Sequence, residues 1–501
     1  MNPYLPPWEY IPDGEPHEYD GRVYVYGSHD RFRGNAYCLN DYVCYSAPSD
    51  DLTDWRYEGV IYKKTQDPEN KDGSMCLFAP DVTKGTDGRY YLYYVLDKLP
   101  VVSVAVCDTP AGEYVFYGYV HYSDGVRLGE GEEDEAQFDP AVITEGDITY
   151  LYTGFCMPDN KERHGAMVSV LGRDMLTVLD GPQFIVPGRQ YSRGTGFEGH
   201  EYFEAPSIRK YNGIYFFVYS SVNMHELCYA TSDKPAEGFS YRGVIVSNND
   251  IGIDSYKSAK RPMNYGANNH GGIIRLSHGD YIFYHRHTNG TNFSRQGCIE
   301  HIKIEEDGHI DQVEMTTGGA DREPMPGKGI YHAYTACNLF CDKEQAFTGD
   351  PGTFLGPDFP RITQDGGDTD ADVMTAKGHP DLSEDAYITN MTDGSVAGFK
   401  YFDIRGMNDI AVWVRGYTDG ELNVRLAKDT DVIPVTGQRP HGDIAKYGRV
   451  IGAVRICSEN IWTRYDIPVS ETGIVGHEGV SALFFEYRGS GALQFLKFEL
   501  K

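Results

Sequence analysis

One short pattern, a turn followed by tyrosine within an alternating apolar run, recurs along the chain at nearly even spacing. It reads G-R-V-Y-V-Y-G-S at Gly21, G-R-Y-Y-L-Y-Y at Gly88, G-D-I-T-Y-L-Y-T-G at Gly146, N-G-I-Y-F-F-V-Y-S at Asn212 and G-D-Y-I-F-Y-H at Gly279. With Tyr24, Tyr91, Tyr150, Tyr215 and Tyr281 as markers, the period is roughly 60 to 67 residues, the length of one four-stranded blade with its loops. Five such units predict a five-bladed β-propeller. The 39 Tyr and 57 Gly of the 501-residue chain suit that class, because aromatic side chains fill pleated, half-buried faces and glycine makes tight turns. Long amphipathic helical patterns are scarce.

A second regularity lies upstream of the markers. Asp13, Asp139, Glu204 and His270 each precede their marker tyrosine by eleven residues, and Asp81 precedes Tyr91 by ten. In a propeller the innermost strand of every blade lines the central channel. One polar residue per blade is therefore expected to converge on a single axis, which unrelated hairpins in a large sandwich would not achieve. The second blade has a longer turn, T-K-G-T-D-G. Matching its F-A-P-D-V to F-E-A-P-S-I on the shared Ala-Pro sets Phe78 against Glu204, so Asp81 is expected to bind rather than catalyse.

Carboxyl groups gathered in a channel do not ionise alike, since burial and like charge push their pKa values apart. One group kept protonated beside another kept as a base is the requirement of glycoside hydrolysis. A separation of roughly 6.5–9.5 Å leaves room for a water and gives inversion.

Four segments, E-Y-I-P-D-G-E-P-H, F-A-P-D-V, F-D-P-A-V and F-E-A-P-S-I, stand in this order at blade spacing. Together they resemble the blade motifs of glycoside hydrolase family 43 over roughly residues 1–318. The resemblance implies Asp13 as the general base, Asp139 as pKa modulator and orienter, and Glu204 as the general acid. Glu15 is a rival to Asp13, because the first motif departs from the commoner A-D-P-S form. His270, in N-N-H-G-G, matches a fifth-blade histidine that reaches a central metal, usually calcium, through water. No cofactor is implied for the chemistry, and a structural Ca²⁺ is expected in the channel. Phe78, Phe138 and Phe203 flank the polar positions as an apolar wall for a sugar face. His29 and Asp30 are expected at the mouth, and Arg295, in S-R-Q-G-C-I-E, is expected to face the pocket.

After about residue 318 the alternation stops in the linker-like T-T-G-G-A-D-R-E-P-M-P-G-K-G, rich in breakers and charge. Residues 319–331 are read as linker and 332–501 as a jelly-roll-like β-sandwich, from runs such as A-G-F-K-Y-F-D-I, I-A-V-W-V-R-G and L-Q-F-L-K-F-E-L. W-T-R-Y-D-I-P-V and G-V-S-A-L-F-F-E-Y-R-G-S-G resemble strands of family 6 carbohydrate-binding modules. The last loop, G-S-G-A-L-Q, lacks the asparagine with which such modules hold sugar, so packing is an equal expectation for this domain. Trp462 is either a stacking platform or core.

The formal net charge of −29 argues against nucleic acid or an anionic membrane as partner, since both need a basic footprint. The ten cysteines include no CxxC pair and read as reduced, mostly buried thiols. M-N-P-Y-L-P-P-W shows no signal-peptide pattern, so a cytoplasmic location is expected. The expectation is an inverting, exo-acting hydrolase with an oligosaccharide substrate, releasing α-L-arabinofuranose or β-D-xylose from hemicellulose-derived fragments. Its rivals are an endo-acting arabinanase or xylanase, a galactan-active hydrolase, and a non-catalytic sugar-binding propeller. A fructosidase would need an N-D-P-N-G-type motif and a sialidase repeated Asp-box turns; neither is found.

Overall fold

The computed structural model describes residues 1–253, 263–321, 323–341, 355–365, 386–427, 448–469 and 479–501. Among them strands dominate, with four short 3₁₀ turns as the only helices. Four successive antiparallel sheets of four strands begin with Glu15–Tyr19, Asp81–Lys84, Ala141–Glu145 and Tyr202–Tyr211, and a fifth of three strands begins with Ile273–Leu276. These are the five blades. Every marker tyrosine falls in the second strand of its blade: Arg22–Tyr26, Tyr90–Val95, Ile148–Thr153, Ile214–Ser221 and Gly279–His287.

Local sequence sets the register. Strands Glu15–Tyr19 and Arg22–Tyr26 meet through Asp20-Gly21, and Tyr202–Tyr211 and Ile214–Ser221 through Asn212-Gly213. Both loops have positive φ at both residues, the two-residue hairpin geometry for which Asp-Gly and Asn-Gly are best suited. The second strands are buried on both faces. In the first blade Val23 and Val25 pack with Ile274, Tyr281 and Phe283 of the fifth, while Tyr24 and Tyr26 pack with Tyr90 and Leu92 of the second. Further cores lie between blades two and three, three and four, and four and five. The propeller is thus held by one apolar layer per blade interface rather than by a single centre. The ring closes where Gly14 bridges Gly271. The N-terminal segment lies against the outer strand of blade five: the Asn2 side chain donates to Ile299 O (3.0 Å) and accepts from Ile299 N (2.9 Å).

Two six-stranded sheets follow. Ser395–Asp403, Val480–Gly491 and Thr418–Ala427 form the middle of one, and Ala386–Met391, Leu493–Leu500 and Asp409–Gly416 the middle of the other. Their inner faces share a core that includes Phe399, Val412, Phe485, Phe495 and Phe498, giving the expected sandwich. Part of the segment read as linker is ordered strand. Met325–Pro326 pairs with Ser395–Asp403, and Gly329–His332 pairs with Leu493–Leu500. None of the ten cysteines is in a disulfide. Trp462 carries the Arg415 guanidinium 4.1 Å from its ring centroid and the Tyr387 ring edge-on at 5.3 Å, so neighbours already pack on this indole.

The sandwich is tied to the propeller by polar contacts that are themselves buried. Asp250 accepts from Lys400 Nζ at 2.9 Å and from Asn338 Nδ2 at 2.7 Å. Arg286 donates to Tyr334 O (2.7 Å) and Ala336 O (3.0 Å). Closer to the channel, Asn289 N donates to Ile362 O (2.8 Å), Thr363 Oγ1 to Asn289 Oδ1 (2.7 Å) and Tyr10 Oη to Gln364 Oε1 (2.8 Å).

Candidate active site

A cavity of about 350 Å³ opens where the innermost strands begin, and its lining includes Asp13, Asp139, Glu204, His270 and Arg295 with Phe78, Phe138 and Phe203. Eight of the residues singled out in the sequence are thereby brought together. Asp13 and Asp139 each stand two residues before an innermost strand and each has a left-handed backbone, with φ of 58° and 44°. Aspartate tolerates that region better than most residues, and the same twist in two blades presents the two carboxyls to one space. Glu204 lies inside its strand, next to a register shift and to Ala205 at φ 65°. A non-glycine residue held there carries local strain.

The cavity is strongly polarised. Arg295 Nη1 donates to Asp13 Oδ1 at 3.0 Å, and His285 Nδ1 lies 3.3 Å from the same oxygen. Burial alone would raise the Asp13 carboxyl, but Arg295 above all, with His285 beside it, outweighs burial and holds it far below the usual carboxylate range. Glu204 is moved the other way. Burial and the Asp13 charge push it up to about 8, against a smaller pull from Arg295. Asp139 is also pushed well above its ordinary value, by burial and by Glu204 and Asp13. An ionised carboxylate thus shares the cavity with two carboxyls that favour the protonated form, their ionisation set by environment.

Three expected binding residues lie elsewhere. His29, expected at the mouth, is buried, with Nε2 2.9 Å from Glu9 Oε1 and Nδ1 2.9 Å from Asp41 O. Asp30 is buried as well. It takes Arg295 Nε at 2.8 Å, Arg295 Nη2 at 3.0 Å and Cys38 N at 3.0 Å, so it holds the arginine from behind. Asp81 is fully enclosed below the cavity, accepting from Val82 N and Val142 N at 2.8 Å and facing His17 Nε2 at 2.6 Å. Glu15, the rival to Asp13, is directed away from the cavity and accepts from Arg209 Nη2 (2.7 Å) and Ser207 Oγ (2.9 Å).

His270 sits between these layers. Nδ1 is 3.9 Å from Asp13 Oδ1 and 3.8 Å from Asp139 Oδ2, and Nε2 is 3.9 Å from Glu15 Oε1. Burial pushes its imidazole down to about 4, which leaves it neutral at ordinary pH. Tyr37, Cys38, Phe155 and Asn268 also line the cavity and went unread in the sequence. Asn268 stands two residues before His270 and Phe155 just beyond the third marker strand, so the repeat register could have found both. Tyr37 comes from an irregular loop with no repeat signal, and its ring lies 4.9 Å from the Arg295 guanidinium.

The sequence pattern of "Glycosyl hydrolases family 43" matches residues 12–310. A xylosidase/arabinosidase of Thermoclostridium stercorarium is 58% identical over 502 residues, covering 100% of this chain and 98% of its own length. A second protein of that description, from Bacteroides ovatus, is 27% identical over 62% of this chain and 97% of its own. A solved family 43 arabinoxylan arabinofuranohydrolase from Bacillus subtilis aligns over 100% of this chain and 97% of its own, at 20% identity and a TM-score of 0.49. With three carboxyls and an arginine converging on one end of a five-bladed channel, the chain belongs to glycosyl hydrolases family 43 and is a glycosidase.

Proposed function

We propose that the protein is an inverting exo-acting hydrolase that releases a terminal β-D-xylose or α-L-arabinofuranose from hemicellulose-derived oligosaccharides. The observation that carries this reading is the opposed ionisation of Asp13 and Glu204 across one small cavity. About 350 Å³ is near the lower end of the roughly 300–1,000 Å³ of ligand pockets, a size for a chain end rather than for a threaded polymer. The xylosidase/arabinosidase description of the full-length relative supports the pentose.

In this mechanism Asp13 stays ionised because Arg295 and His285 stabilise its charge, and it takes a proton from the attacking water. Glu204 holds a proton at neutral pH and gives it to the departing glycosidic oxygen. Asp139, beside both, raises Glu204 by repulsion whenever it ionises and helps to orient it. Phe78, Phe138, Phe155 and Phe203 supply apolar faces for the sugar ring, and Asn268 and Arg295 supply donors. The chain's own groups are sufficient for acid and base.

The test is a panel of aryl β-D-xylosides, α-L-arabinofuranosides and β-D-galactosides with wild type, Asp13→Ala and Glu204→Ala, with the anomer released followed by proton NMR. Each substitution is expected to lower kcat/KM at least about a hundredfold, and the first-formed sugar should have inverted configuration. Wild-type turnover left intact by both substitutions refutes the site. Retained configuration refutes the water-activating role of Asp13.

A further inference from the structure

Beneath the cavity the channel contains a packed group of charges that the reaction does not use. Glu15, His17 and Asp81 present ligand atoms within 4.8 Å of one another, the kind of cluster in which a divalent cation is sought. Calcium takes six to eight oxygen ligands, and the donors here are already committed. Asp81 Oδ1 faces His17 and accepts from Val82 N, Asp81 Oδ2 accepts from Val142 N, and Glu15 Oε2 accepts from Ser207 and Arg209. Of the four carboxylate oxygens, only Glu15 Oε1 has no partner among the described residues, and it faces His270 Nε2, likewise without a hydrogen bond, at 3.9 Å.

The positive charge of the cluster is built into the chain. Arg209 is buried, and its Nη2 donates to Glu15 Oε2 (2.7 Å) and Pro16 O (2.8 Å) and lies 3.3 Å from His17 Nε2. Its Nη1 donates to Ile208 O at 2.7 Å. A guanidinium is charged at every working pH and presents its donors in a rigid fork, so it serves both the carboxylate and the backbone. The opposite wall is equally full. A Cβ on Gly272 would stand 2.6 Å from both Glu15 Oε2 and Ser207 Oγ. A divalent ion placed here would meet a fixed cation and only two uncommitted atoms among the described residues, Glu15 Oε1 and His270 Nε2, against the six to eight oxygens that calcium takes. The residues do not fit the calcium implied by the family resemblance.

We propose that Arg209 is the resident cation of the channel, supplying the charge that a bound divalent ion would supply, so that the enzyme folds and turns over without a metal. Arg209 is a positioning residue in this scheme. It fixes Glu15, and Glu15 in turn faces His270, which stands against Asp13 and Asp139. The activity arm of the test rests on the glycosidase reading; the metal and stability arms do not.

The full chain is treated exhaustively with EDTA, dialysed, and compared with the untreated protein and with protein in millimolar CaCl₂. Metal content is read by inductively coupled plasma mass spectrometry, stability by the thermal midpoint, and activity by kcat/KM on an aryl pentoside. The expectation is far less than one calcium per chain as purified, the same midpoint in all three samples, and kcat/KM changed by less than about twofold, since an ion bound only by the native state would raise the midpoint by mass action. Near-stoichiometric calcium with a midpoint that falls on chelation and returns with CaCl₂ overturns the proposal, whether or not the pentoside is cleaved. Arg209→Met should lower the midpoint and shift the pH profile of kcat/KM, and Arg209→Lys, which keeps the charge but not the fork, should restore the profile more than the midpoint. A methionine variant with wild-type midpoint and profile also overturns it. If that variant does not fold, the chelation arm on wild type still decides.

Discussion

Arg295 offers the sharpest test of how this site sets its charges. Its guanidinium makes two bonds to Asp30 and one to Asp13, with all three residues almost wholly buried. In Arg295→Met the side-chain length is kept and the charge removed. Asp30 then retains only backbone donors, Cys38 N and the N–H of residue 295 itself. Breaking a buried pair by removing one partner costs about 3–5 kcal/mol, because the other charge stays buried. The urea midpoint should fall accordingly. Arg295 lowers both Asp13 and Glu204, so its loss should move both limbs of the kcat/KM profile to higher pH. The sign follows from the base. Wild-type Asp13 is ionised throughout the working range, so little activity is lost on the acid side. Without Arg295 burial dominates, and Asp13 must deprotonate within the measured range before it can act. The assay is kcat/KM from pH 4 to 9 on an aryl pentoside, with Arg295→Lys as the charge-keeping control. A variant losing less than about 1 kcal/mol, well under the cost of an unpaired buried charge, or a profile that stays put or moves to lower pH, refutes this account.

In the wild type, kcat/KM should fall about tenfold per unit above the Glu204 value of about 8, where the acid has lost its proton; a profile flat to pH 10 would remove Glu204 from the acid role. Asp81→Asn should cost about 1–3 kcal/mol, since one acceptor of the His17 and Val142 contacts becomes a donor, while KM stays within about twofold because the side chain lies outside the cavity. A large rise in KM at unchanged stability would restore Asp81 as a binding residue. Gly272→Ala should cost about 1–3 kcal/mol by overpacking against Glu15 and Ser207, read from the urea midpoint; an unchanged midpoint would show that the channel holds free space.

The propeller was legible because its blades repeat. The same hairpin grammar sets Tyr24, Tyr91, Tyr150, Tyr215 and Tyr281 in equivalent strands, and a fixed offset from them points to one end of the channel. Asp139 and Glu204 follow from that offset alone. Asp13 shares that offset and is preferred to Glu15 on it; the coordinates add that Asp13, with its left-handed backbone, lines the cavity and that Glu15, two positions on at the start of the innermost strand, does not. His29 and Asp30 mark the limit of such reasoning. Adjacency to a strand end suggested exposure, but Glu9 and Arg295 come from distant sequence to enclose them. Tyr37 and Arg209 share that cause, since their roles depend on partners in other blades. In the linker, glycine, proline and charge hid strands whose pairing is supplied by segments some 70 to 170 residues further on.

The bonds joining Ile362, Thr363 and Gln364 to Asn289 and Tyr10 have a consequence for how such a chain can change. Asn289 opens the loop that carries Phe293, and Phe293 meets the Tyr37 ring edge-on at 4.8 Å on the cavity wall. A substitution in one edge strand of the sandwich therefore reaches the substrate rim through a single loop of blade five, Asn289 to Phe293. In this chain the two folds share one set of contacts at the rim. A hybrid joining this propeller to a foreign sandwich would keep Asp13, Asp139 and Glu204 and lose the contacts that brace the wall around them.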